Sequence, residues 1–356
     1  MHGGLAPAGK AVRAAIRLLW AAWIPVGLIL SSMAAVAHGA PPLKVVVLTD
    51  AAGLGDKGFN DVCWAGVQRA KADFGVEAHF IQSREQADYA ANIQLAARHG
   101  DVVVTLGYLF EDTLRRVVAS HPSKRFIHIE GFVPGDNIAC YDFRSEEGGF
   151  LAGLVAGLYT KAKKVAVVAG MEIPPVEAYV SGFRAGIKTA ELHRGDSIHV
   201  IVVFAGSFND PVKGKSLAQA AIDQGADVIF RAAGNTGVGV LEAVRRAEHV
   251  ALIAEDLDQD DEIPGRVLTS TLKRMDVAVH EAIRSIVENR FEPGHRWLGA
   301  ADGAVDITGM KHSRALFGDA DLGRIEKARQ LLKKRAVKVP ARSVDVEAFE
   351  PPRLDD

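Results

Sequence analysis

The sequence is poor in the residues that staple, ligate or steer. Of its 356 residues only two are cysteine, Cys63 and Cys140, and they form no Cys-x-x-Cys pair; no two histidines stand four apart. A structural zinc site of the usual spacing is therefore excluded, and no metal is expected. The thiols fall on an expected helix and an expected strand, so the simpler reading is two buried free thiols; a disulfide needs a contact that spacing alone does not supply. Aromatic residues make up 7% of the chain and the net charge is −2. No basic stretch is interleaved with aromatics, which removes the electrostatic case for nucleic acid or an anionic membrane surface. There is no G-x-S-x-G elbow and no H-E-x-x-H, and no Ser/His/Asp order stands out. Nothing here reads as a catalytic set or as a cofactor site.

One long apolar run exists, at the N-terminus. Lys10, Arg13 and Arg17 precede an apolar stretch over 18–36, and Ala35-Val36-Ala37 makes an A-x-A cleavage site. This is the layout of a secretory signal peptide. The competing reading is an uncleaved membrane anchor; Pro25 and the small residues after Ser31 favour cleavage. No cysteine stands near that site, which excludes a lipid-bearing N-terminal Cys. Residues 1–40 are thus expected to be removed, and the mature chain to be soluble and, in a host with an outer membrane, periplasmic.

The remainder is rich in short apolar runs. With 48% hydrophobic and 24% charged residues, it has the composition of a globular protein and the length of two domains. The run 45–49 reads as a buried parallel strand. Helix 60–74, strand 77–82, helix 86–99, strand 101–106, helix 110–120 and strands 125–130 and 138–143 follow. The second half repeats the pattern with helix 146–159, strand 164–169, helix 176–190, strand 197–204, helix 211–224, strand 228–232, helix 237–247 and strand 250–254. Last come strand 267–270, helix 276–289, a weak strand at 297–298 and helix 322–334. Gly148-Gly149-Phe150-Leu151-Ala152-Gly153 suits close helix packing. Repeated βα units predict an α/β protein of two doubly wound, Rossmann-like lobes around a cleft. The tail 345–356, rich in proline and acidic residues, is expected to be disordered.

In open α/β sheets ligands sit outside the carboxyl ends of the strands, so the strand ends carry the candidates. The first strand runs into Asp50, a glycine-rich turn, and a helix start bearing Lys57, Phe59 and Asn60. Phe59 can stack on a ring while Asp50 and Asn60 hydrogen-bond; Asp56 is a candidate N-cap and Lys57 a surface or helix-end residue. Asp112 holds the same position in a later βα unit, and either bonds a ligand or stabilises its helix N-terminus. The loop 170–176, with Pro174 and Pro175, reads as cleft wall. Phe208 stands at a strand–helix junction where core packing does not demand a ring, a second stacking face opposite Phe59; Asp210 then caps the helix begun by Pro211. The loop from Ala232 to Gly239 can offer backbone N–H groups, but holds no basic residue, so a neutral ligand edge suits it better than phosphate. In the acidic run 255–262 the calcium-loop pattern fails, with Asp261 at position 6 and Val267 at position 12. One carboxylate, Asp256, is expected to aim at ribose-like hydroxyls, the rest being solvated. Lys273 reaches the same group or pairs with Asp256. The set describes recognition better than turnover.

Taken together, DKGFND at 56–61, RSEEGGFLAG at 144–153, GSFNDPVKGK at 206–215, GADVIFRAAGNTGVGV at 225–240, EDLDQ at 255–259 and LTSTLKRMDVAV at 268–279 resemble the basic-membrane-protein family of ABC-transporter substrate-binding proteins, of the purine-nucleoside-receptor type. The likeness runs over about 43–309. It implies a type I periplasmic-binding-protein fold whose chain crosses the hinge three times. The first lobe would hold 41–143 plus about 268–300, the second 144–267 plus about 301–344. It further implies that Asp50, Phe59 and Asn60 line the first-lobe face of the site. Phe208 would be the second stacking ring, Gly234 a backbone contact, and Asp256 with Lys273 the pair that engages ribose; Asp112 stays a candidate. Glu255 and Arg231 depart from the family's pattern, which has smaller or apolar residues there. The expected function is nucleoside binding for an ABC importer, purines preferred, by a monomer that docks on an inner-membrane permease. A sensor for a free base or sugar-like ligand, or a nucleoside-processing enzyme, are the competing readings.

Overall fold

In the computed structural model the described residues are 1–3 and 41–355. Two units divide the chain, Met1–Pro42 and Leu43–Asp356. Within the first, residues 1–3 and 41–42 have no regular structure; residues 4–40, with the expected signal peptide and its cleavage site, lie outside the described residues. Among the described residues no helix is long and apolar enough to cross a membrane.

The second unit contains two six-stranded sheets. The first is built from β1 (Lys44–Thr49), β2 (Glu77–Gln82), β3 (Val102–Leu106), β4 (Arg125–Ile129), β5 (Ile138–Phe143) and β11 (Gly294–Leu298), in the order β11-β5-β4-β3-β1-β2. The second is built from β6 (Lys164–Ala169), β7 (His199–Phe204), β8 (Val228–Ala232), β9 (Ala251–Ala254), β10 (Val267–Lys273) and β12 (Val305–Ile307), in the order β12-β10-β9-β8-β6-β7. Every pairing is parallel except β10 with β12. Central strands such as β1, with Val45, Val46, Val47 and Leu48 all buried, are apolar on both faces because helices cover both. The helices are α1 (Phe59–Phe74), α2 (Tyr89–His99), α3 (Glu111–Val117), α4 (Ser145–Tyr159), α5 (Pro174–Arg194), α6 (Pro211–Asp223), α7 (Thr236–Arg246), α8 (Met275–Val287) and α9 (Asp319–Lys333). Cys63 and Cys140 are free and buried in apolar layers on opposite faces of the first sheet.

The chain passes between the sheets after β5, after β10 and after β11. Arg144 N donates to Leu298 O, and Arg274 N to Ala304 O, both at 2.8 Å, so the crossing segments are bonded to one another. The position of β10 differs from expectation. The family likeness implies that residues from about 268 belong to the first lobe, but β10 pairs with β9 in the second sheet, and only α8 and β11 return to the first. The strand also runs to Lys273 instead of ending near 270, which carries that side chain to the crevice. β12 was not expected; three residues are too few to show a strand period.

Small residues decide how α4 and α5 meet. A Cβ on Gly149, Gly153, Gly182 or Gly186 would come within 2.3 Å of a backbone oxygen on the facing helix, so α4 and α5 approach backbone to backbone. The C-terminal tail is a correction: it is packed, not disordered. Leu354 is buried, Phe349 packs against the second-lobe core, and Lys188 Nζ donates to the carbonyls of Val346, Glu347 and Phe349. Its few apolar residues reach the second-lobe core, with Phe349 edge-on to Phe150 of α4, which a composition average hides.

Candidate functional site

The carboxyl ends of the strands of both sheets open on one crevice. It encloses about 640 Å³ of empty space, its open mouth included, within the usual range for small-molecule sites. Asp50, Asp56, Phe59 and Asn60 line it from the β1–α1 loop, Tyr108 and Glu130 from the ends of β3 and β4, Tyr179 from α5, and Phe208, Gly234, Glu255, Asp256 and Lys273 from the second lobe.

The first-lobe wall is organised by its own loop. Asp56 accepts from Gly58 N, Asn60 N and Asp61 N at 3.0, 2.9 and 3.2 Å, which satisfies the free N–H groups at the start of α1. Asn60 Nδ2 donates to Asp50 Oδ1 at 3.0 Å and to Asp56 Oδ2 at 3.1 Å. Asn60 Oδ1 is buried with no protein partner among the described residues. Burial raises Asp50, against the hydrogen bonds it receives, and raises Asp56 to about 7.

The second-lobe wall is organised by charge. Lys273 Nζ lies 2.5 Å from Glu130 Oε1, across the cleft, and 3.9 Å from Asp256 Oδ1. Tyr179 donates its hydroxyl to Asp256 Oδ1 at 2.9 Å, and its ring centroid is 4.8 Å from the ammonium. Burial opposes the charge on Lys273, but Glu130, Tyr179 and Asp256 overcome it and hold its pKa well above that of a free lysine. Burial raises the Glu130 carboxyl in turn, against the pull of the Lys273 ammonium. Glu130 and Asp256 both adopt left-handed backbone, φ 64° and 67°, strain of the kind that collects at functional sites. Phe208 lies so close to Gly170 that a Cβ there would come within 2.3 Å of the ring.

Bonds also join the lobes at the mouth. Lys57 pairs with Glu262 at 2.5 Å, Lys57 O accepts from Gln259 Nε2 and Arg231 Nη2 at 3.1 and 3.2 Å, and Asn209 Nδ2 donates to Ala51 O at 2.7 Å. Lys57 is therefore an interlobe contact as well as a helix-end residue.

Residues 43–343 match the family model of PnrA-like ABC transporter substrate-binding proteins. The chain belongs to this family. A CD4+ T-cell-stimulating antigen of Listeria monocytogenes is 30% identical over 320 residues, 83% of this chain and 87% of that protein. An ABC transporter nucleoside-binding protein of Lactococcus lactis is 27% identical over 304 residues, 78% of this chain and 84% of that protein. A crystal structure of an ABC transporter solute-binding protein from Aeropyrum pernix superposes with a TM-score of 0.80 at 26% identity, covering 86% of this chain and 96% of the other. The family is one of substrate-binding proteins rather than enzymes. Membership brings a small-molecule ligand, a transporter permease as partner, and a place of work outside the cytoplasmic membrane.

Of the eight residues singled out in the sequence, the crevice of this family member gathers Asp50, Phe59, Asn60, Phe208, Gly234, Asp256 and Lys273. Asp112 does not join them. A 3-10 turn at Tyr108–Phe110 precedes α3 and leaves Asp112 exposed in a separate surface depression, while Tyr108 and Leu109 reach the cleft. Gly234 reaches the cleft, but its N–H is already bonded to Glu255 Oε1 at 2.9 Å. Nor is the acidic run solvated apart from Asp256. Glu255 is buried in the wall, and Asp260 is buried on Thr308 Oγ1 and Lys311 N, both at 2.9 Å. Sequence reasoning missed Glu130 and Tyr179. Glu130 had a signal, a carboxylate just past a strand end like Asp50; Tyr179 sits inside a helix and had none.

Proposed function

We propose that this chain is the exported nucleoside-binding component of an ABC importer, with purine nucleosides preferred. The observation that carries the reading is the pairing of two phenyl rings, Phe59 and Phe208, from opposite lobes on one crevice beside the Lys273–Glu130–Asp256 cluster. A flat base stacks between the rings, since every base offers a π-face. The diol of a ribose matches a carboxylate acceptor beside an ammonium donor, and Asn60 Oδ1 accepts from the base edge. The Lactococcus relative's description as a nucleoside-binding protein supports the same class. Binding favours the arrangement in which Lys57, Glu262, Gln259 and Asn209 bond across the mouth, and so presents a closed shape to the permease.

Calorimetric titration tests this, using chain from Ala40 onward, unfolded and refolded to strip carried ligand. Nucleosides should bind at micromolar affinity or tighter, with free bases much weaker. Tight binding of a free base would move Asp256 and Lys273 to another task; no binding across the panel would overturn the nucleoside reading.

A further inference from the structure

Two glycine-bearing loops flank the cleft, and each leads into a helix. In the first, Gly53, Gly55 and Gly58 have the G-x-G-x-x-G spacing after β1 that elsewhere presents N–H groups to a pyrophosphate. In the second, Ala233 and Gly234 point their N–H groups into the wall just before α7. Such N–H groups at a helix start are ready anion sites. Here the protein's own carboxyls already hold them. Asp61 takes Gly55 N and Lys57 N at 2.7 and 3.0 Å, and Asp56 takes Gly58 N, Asn60 N and Asp61 N. Glu255 Oε1 takes Ala233 N and Gly234 N at 2.8 and 2.9 Å.

A second observation marks the Glu255 position as a latent anion site. Arg231, at the end of β8, is wholly buried, with Nη1 within 2.7 Å of where a Cβ on Gly237, in the first turn of α7, would stand, and it makes no ion pair with Glu255. Its Nε and Nη1 have no protein partner among the described residues. Burial depresses its pKa, and Glu255 is the strongest charge restoring it.

We infer that Glu255 is a specificity-determining residue that occupies the Ala233 and Gly234 N–H groups, in the field of the buried Arg231 guanidinium, and so keeps phosphorylated ligands out of the cleft. The carboxyl excludes by occupancy. An incoming phosphate oxygen finds both N–H donors taken and the Glu255 and Asp256 carboxyls beside it, so it gives up water there without gaining those two bonds. The inference sharpens the nucleoside reading and rests on it for the identity of the rejected ligand, a nucleoside 5′-phosphate.

The test compares wild type with Glu255→Gln, whose amide oxygen can still accept both N–H groups, and Glu255→Ala, which frees them. Wild type and Glu255→Gln should bind a nucleoside at least 100-fold more tightly than its 5′-monophosphate, and Glu255→Ala should narrow that gap tenfold or more. An unchanged gap in Glu255→Ala, or equal narrowing by Glu255→Gln, overturns the inference. Thermal shift with inorganic phosphate gives a readout free of the nucleoside reading: Glu255→Ala alone should be stabilised, and no stabilisation counts against the inference. Failure of wild type to bind any nucleoside, with that phosphate response intact, would sink only the nucleoside reading. Should Glu255→Ala not fold with a buried cation left bare, Glu255→Ala combined with Arg231→Gln still frees both N–H groups, and its phosphate response should exceed wild type.

Discussion

On the first-lobe wall, Asp50, Asp56 and Asn60 belong to one loop and hold each other through bonds made within it. On the second-lobe wall the decisive bonds span the chain: Tyr179 to Asp256 across 77 positions, and Lys273 to Glu130 across 143 and from one lobe to the other. The first wall is set whenever its own loop folds. The second is complete only when the β10–α8 crossing and both lobes are in place. This difference says where substitutions cost stability and where they cost binding.

The largest expected effect is on the long-range side. Lys273→Met strands Glu130 in a buried place without its cation, and breaking a buried pair from one side costs about 3–5 kcal/mol. The local Asn60→Ala should cost about 1–2 kcal/mol, since Asp50 and Asp56 keep their backbone donors. Urea unfolding of the two variants breaks the comparison if the order is reversed.

Asp256→Ala should leave the fold standing and weaken nucleoside binding by about 2–3 kcal/mol, roughly 100-fold, the scale of a hydrogen bond to a charged group. Unchanged affinity by calorimetry would remove the ribose from Asp256. The stacking rings come next. Phe59→Ala and Phe208→Ala should each cost about 1–3 kcal/mol of binding, as base–aromatic stacking does. An effect at one ring only would mean a base stacked on one lobe and untouched by the other.

The smallest effect is on pH. Burial raises Asp56 and Glu146 to about 7 and Glu255 to about 8. A carboxyl whose folded pKa exceeds its unfolded value holds its proton more tightly when folded, so losing that proton costs stability. The melting temperature should therefore be higher near pH 5.5 and fall by roughly 5 °C as the pH rises through 7 to 8.5. Glu255→Gln should flatten the upper part of that fall, and a rise in melting temperature over this window would contradict the assignment.

The same contrast explains how much was legible in the sequence. Strand and helix positions followed from apolar runs and periods, and β5, β6 and β8 have the expected bounds. The β1–α1 loop could be read because its partners are neighbours in the chain. Glu130 and Tyr179 were missed, and Asp112 lies outside the crevice it was expected to line, because strand-end position says that a residue can face the cleft but not which way a 3-10 turn or a left-handed residue will aim it. Glu255 looked solvated inside an acidic run. Only the β8–α7 loop and Arg231, brought alongside in three dimensions, give its carboxyl a buried task.

The most direct test is a crystal structure of the refolded protein with a purine nucleoside. We expect the base between Phe59 and Phe208, ribose oxygens within hydrogen-bond distance of Asp256 and Lys273, and no ligand oxygen on Gly234 N. A base lying outside the two rings, or a ribose turned away from Asp256 and Lys273, would contradict the proposed site.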